Sequence, residues 1–174
     1  MDFVSHVLIG KLIQTASRLT STTEKLLIIT FAFLPDIPVL FIYLLLGRAN
    51  NRPFWIPHNS DWTGVRQVHP WWSATWEIPH SLFFLLILIP LVVWLKWPPL
   101  TILPYLSHIL SDALTHTGEW ALKPLYPLPF TISGFTDAWA WPLRYMAVSW
   151  LVLALLICVL QRASLKQKAG AASP

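Results

Sequence analysis

Cysteine is almost missing from the chain. The single copy, Cys158, lies in an apolar run, so an intramolecular disulfide is impossible and a thiolate metal cluster is not expected. Charge is scarce as well. Asp, Glu, Lys and Arg make up 11% of the residues, against roughly 25% in a soluble domain. The formal net charge is +4, yet no dense basic run carries it, so nucleic acid is not an expected partner. The amino terminus does not read as a cleaved signal. No basic residue precedes its apolar stretch, and Lys11 interrupts it.

Apolar residues are plentiful. The 174 residues leave room for one domain, 55% are hydrophobic, and 11 are tryptophan. That composition is expected of an integral membrane protein, with the lipid bilayer as its first partner. The fold class read from the runs is all-α, a polytopic membrane helix bundle. It has four clear spans plus an N-terminal helix that also inserts. The spans are Leu26 to Leu46, Pro79 to Trp97, Pro99 to His116 and Leu143 to Leu160. The N-terminal helix covers Phe3 to Leu19, and Ser21-Thr22-Thr23-Glu24 reads as a capping box before the first span. Residues 1–162 form a single membrane-embedded domain, and 163–174 a disordered basic tail with Lys166 and Lys168.

Two long connections, 47–78 and 117–142, join the spans. Trp55, Trp62, Trp71, Trp72 and Trp76 crowd the first, as in an interfacial belt. Lys96 and the basic tail on the cytoplasmic side satisfy the positive-inside rule, which turns both connections outward.

The chemistry is concentrated in a few polar residues inside apolar runs, where ionisable groups are costly. Run as a helix, His108, Asp112 and His116 stand at i, i+4 and i+8, on one face. An imidazole nitrogen and a carboxylate oxygen one turn apart suit a divalent cation. Asp36 lies between Pro35 and Pro38, in the middle of the first span. Prolines there bend the helix, which is tolerated where it borders a protein-enclosed cavity. His80 opens the second span, and His6 reaches the same cavity if the N-terminal helix inserts. Each also has a plain reading: a histidine that bonds between helices, or an aspartate that caps a break. Glu77, His58, His69 and Asp61 fall in a connection and read first as surface.

Four fragments occur in order: Ser5-His6-Val7-Leu8-Ile9-Gly10, Leu34-Pro35-Asp36-Ile37, Pro79-His80-Ser81-Leu82, and Ser107-His108 through Asp112, Leu114-Thr115 and Gly118. Together they resemble the LexA-regulated, membrane-bound metal-dependent hydrolase family of bacterial inner-membrane proteins. The resemblance covers residues 5 to about 128. It implies metal ligands at His6, Asp36, His80, His108 and Asp112, and a place in the bacterial cytoplasmic membrane. In that family a histidine-arginine-glycine usually stands upstream of the His80 position. Here the stretch is Thr75-Trp76-Glu77, so Glu77 substitutes or the site holds one ion instead of two.

The expected activity is hydrolysis with one or two divalent ions, zinc first, acting on a phosphoester of a lipid or amphipathic substrate through metal-activated water. Asp36 bridges two ions or acts as base, and Glu77 or His116 carries a proton. The alternative is a metal-ion or proton transporter using the same His and Asp residues along a path. A bis-histidine haem site from two of His6, His80 and His108 is a third reading, which the nearby aspartates fit poorly. Ligands gathered at one depth favour the enzyme, and ligands spread through the membrane favour transport. The sequence sets no oligomeric state.

Overall fold

A computed structural model describes residues 1–17, 19, 21–62, 65 and 69–171. Among them the regular structure is helical, apart from one antiparallel bridge between Leu122 and Ile132. The principal helices are α1 (Phe3–Ala16), α2 (Thr22–Phe33), α3 (Ile37–Ala49), α4 (Pro70–Glu77), α5 (Leu82–Trp94), α6 (Ile102–Thr115) and α7 (Leu143–Ala171).

Asp2 starts α1. Its Oδ1 accepts from Ser5 N at 3.0 Å and from Trp150 Nε1 on α7 at 2.9 Å. One side chain therefore caps α1 and ties it to α7. Ser21 stands at the cap of α2, where the capping box was expected, but its hydroxyl makes no cap bond. A 3₁₀ turn, Leu34–Asp36, joins α2 to α3. The two helices form one apolar element, Thr22–Ala49, of 28 residues.

Two helices are long and apolar enough to cross a membrane, Thr22–Ala49 and Leu143–Gln167. A third arises if α4 and α5, bent by 59°, are taken as one broken span. The four expected spans are thus corrected to two or three. Pro79-His80-Ser81 is not helical, so the run that opens at Pro79 becomes a helix only at Leu82. Positive φ at Lys96 and then Pro98-Pro99 end it. What remains in α5 and α6 is 13 and 14 residues, about 20 Å each, where a bilayer core needs about 30 Å. The N-terminal helix also stops early, at Ala16, after 14 residues.

At the other end α7 runs on to Ala171, through Arg162 and Lys166, where a disordered tail from 163 was expected. Ala, Leu, Lys and Gln are good helix formers, and no proline precedes Pro174 in that stretch. Residues 172–174 lie outside the described residues.

Two apolar clusters flank the centre of the molecule. Phe31, Leu88, Val92, Tyr105, Ile109 and Leu122 join α2, α5 and α6. Val39, Ile42, Leu46, Trp62 and Trp76 join α3 to the first connection. The 3₁₀ turn passes between them and carries Asp36 to the border.

Candidate metal centre

Three backbone devices aim three side chains at one point. The first is the Pro35 break. Proline has no N–H to offer the carbonyl three residues back, and that carbonyl, Ala32 O, lies 2.7 Å from His108 Nδ1. The second is the turn between α4 and α5. His80 Nδ1 lies 2.7 Å from Trp76 O, and Tyr105 Oη donates to Pro79 O. The third is the helical spacing on α6, which stacks Asp112 one turn beyond His108.

These contacts fix the tautomers. A carbonyl only accepts, so Nδ1 of His80 and of His108 must carry the proton. In the neutral ring each Nε2 is then a bare lone pair. The two Nε2 atoms face each other at 3.2 Å. They also face Asp112 Oδ2 at 3.3 and 3.1 Å, and Asp36 Oδ1 at 3.7 Å each. Four acceptors thus converge, all buried, with ligand atoms within 4.8 Å of one another. Asp36 Oδ2 and Asp112 Oδ2 have no hydrogen-bond partner. Buried acceptors gathered without a donor call for a cation. A tetrahedral ion with bonds of about 2.0–2.1 Å sets its donors about 3.3–3.4 Å apart, and the contacts here run from 3.1 to 3.7 Å. The residues present fit a divalent metal.

Asp112 faces a second group through its other oxygen. Oδ1 lies 3.0 Å from His6 Nε2 and 3.3 Å from His116 Nε2. The amine of Met1 contacts the same oxygen and stands 2.6 Å from His116 Nε2. The His6 ring stacks on that of His108, centroids 3.6 Å apart. Its Nδ1 is 3.4 Å from Ser111 Oγ, whose hydroxyl donates to His108 O.

No protein-family model, no curated protein and no solved structure matches the chain.

The structure brings His80, His108, Asp36 and Asp112 into one group, with His6 and His116 on the far oxygen of Asp112. His116 arrives by a different route from the expected one. The helix ends at Thr115, and His116 has extended backbone, φ −124° and ψ 134°. It is held by the second connection, which folds back so that Gly134 N donates to His116 O at 2.8 Å and Phe135 N to Leu114 O at 2.9 Å. A side chain at Gly134 would meet Leu114 backbone at 2.6 Å, so only glycine allows that approach.

Glu77 is buried, not surface, and pairs with Lys123 at 3.0 Å. Asp61 is not free surface either. Arg52 grips it at 2.6 and 2.9 Å, and those hydrogen bonds pull its carboxyl down to about 2. Sequence reasoning passed over Lys123, Asp137 and Trp139. Asp137 and Trp139 lie in an aromatic-rich stretch of the second connection, and an acidic residue among indoles was the available signal.

Proposed function

We propose that the chain is a membrane-embedded, metal-dependent hydrolase that cleaves a phosphoester of a lipid or other amphipathic molecule. The observation that carries this is the convergence of four buried side chains, two imidazoles and two carboxylates, with ligand atoms within 4.8 Å of one another. The resemblance set out above points the same way, and on it the proposed location is the bacterial cytoplasmic membrane. Asp36, His80, His108 and Asp112 would hold the ion, with zinc the first candidate for a set of two nitrogens and two oxygens. Bound there, a divalent ion supplies Lewis acidity and acidifies a coordinated water.

The chain's own residues supply the rest. Ala32 O and Trp76 O keep His108 and His80 in the ligating tautomer. Asp112 links this group to His6 and His116, so it is the carboxylate placed to bridge, in preference to Asp36. His116 Nε2 lies 3.3 Å from Asp112 Oδ1 and 2.6 Å from the Met1 amine, so a proton it carried would pass by way of that carboxylate or that amine. Glu77, neutralised by Lys123, contributes charge balance next to Trp76. A transporter would draw its ligands out along a path, and the clustering speaks for an enzyme.

The test is elemental analysis of detergent-purified protein beside His108→Ala and Asp112→Ala. One or two equivalents of zinc or manganese are expected, falling at least tenfold in both variants. Phospholipid and isoprenoid-phosphate hydrolysis would then be screened with the metal-loaded protein. A wild-type protein that holds no metal after gentle purification overturns the reading.

A further inference from the structure

Beside the metal centre lies a cavity of about 130 Å³, lined by Val39, Trp62, Trp120, Asp137 and Trp139. Its size is close to the roughly 150 Å³ that takes up a benzene ring in an engineered protein. The indoles do not stack. Trp62 and Trp120 meet at 5.1 Å and 87°, and Trp120 and Trp139 at 6.2 Å and 48°. Mutually inclined rings make walls, and each ring face carries the negative side of its quadrupole. The remaining polar wall is a carboxylate, Asp137, whose Oδ1 accepts from Trp139 N at 3.0 Å. Among the described residues, no cationic side chain lines the cavity.

We propose that this cavity binds a quaternary ammonium group, and, on the hydrolase reading above, that it selects substrates bearing one. Three indoles and one carboxylate line the cavity, a set that attracts a diffuse organic cation. An anion is repelled by the same set, and an apolar occupant would displace water from the half-buried Asp137 carboxylate. A plain interfacial belt does not account for the arrangement. Belt indoles face lipid, whereas Trp62 is 9% exposed and turned onto other rings. The cavity also communicates with the metal ligands through aromatic contacts. Trp139 lies 5.9 Å from the His116 ring, and Trp120 meets Trp76, which stacks on His80 at 3.8 Å.

Calorimetric titration of the full-length protein in detergent tests this with choline and its neutral isostere, 3,3-dimethylbutan-1-ol. Choline should bind saturably, and the isostere about tenfold more weakly. Trp139→Leu, which keeps apolar volume without a ring, and Asp137→Asn should each weaken choline by about the same factor, while Trp139→Phe keeps most of the affinity. Equal affinity for the charged and neutral ligands, unchanged binding in Trp139→Leu and Asp137→Asn, or no saturable choline binding overturns the proposal. Reconstitution in phosphatidylcholine nanodiscs should suppress binding of added choline relative to phosphatidylglycerol nanodiscs. Equal binding in the two would assign the pocket to a free solute and overturn its role in lipid selection. Bound metal is measured on the same samples. Choline without metal keeps the pocket and sinks the hydrolase reading; metal without choline does the reverse.

Discussion

Asp112 is the residue on which the most contacts depend. It gives one oxygen to His80 and His108 and the other to His6 and His116. Replacement by asparagine keeps the shape and exchanges one acceptor for an amide donor that a bare imidazole nitrogen can accept. Asp112→Asn is therefore expected to fold, to lose at least nine tenths of its metal, and to become insensitive to chelator. Wild-type protein should lose thermal stability in chelator, by about 2.7 kcal/mol where free ion had stood at about 100 times its dissociation constant. Melting curves with and without chelator check this, and an unchanged wild-type curve would count against a resident ion. Much of this residue-level design was legible in the sequence. An imidazole and a carboxylate four apart in an apolar run single out His108 and Asp112. The tautomer lock was not legible, because it depends on carbonyls of Ala32 and Trp76, and main-chain partners leave no mark in side-chain spacing.

At the scale of elements, the approach of α1 to α2 sets where His6 stands. A methyl at Gly10 would fall 2.6 Å from Ala32 Cβ, on the residue whose carbonyl orients His108. Small residues at such crossings let helix backbones come close. Gly10→Ala should cost about 1–3 kcal/mol by overpacking and lower metal occupancy together with stability. Unfolding by denaturant and metal content on the same sample measure both; wild-type values for each would show that the helices have room to part. The sequence marked α1, the Pro35 break and the two long connections. It overstated the spans because hydropathy counts Pro79-His80-Ser81 and Pro98-Pro99 as parts of apolar runs, whereas the backbone treats them as turns. The return of the second connection onto His116 could not be read, since one glycine and two main-chain bonds carry it.

For the whole molecule, the expected membrane orientation puts Lys96 and the carboxyl-terminal end of α7 on one side and Gly118 with the second connection on the other, which requires α6 to cross despite its 14 residues. Single cysteines at 96, 118 and 164, in a Cys158→Ala background, would be labelled with an impermeant maleimide on intact spheroplasts. Labelling at 118 alone is expected, and labelling at 96 or 164 would reverse or break the topology. Helices α5 and α6 bring a last consequence. At about 20 Å they stop some 10 Å short of a typical hydrocarbon core. Either the leaflet beside their Lys96–Pro99 turn sinks toward it, or Lys96 snorkels out to the interface, at a cost of fractions of a kcal/mol per Å. Sinking would draw the headgroups of that leaflet toward the Lys96–Pro99 turn, so that a bilayer holding this protein would be locally thinner than the same bilayer without it.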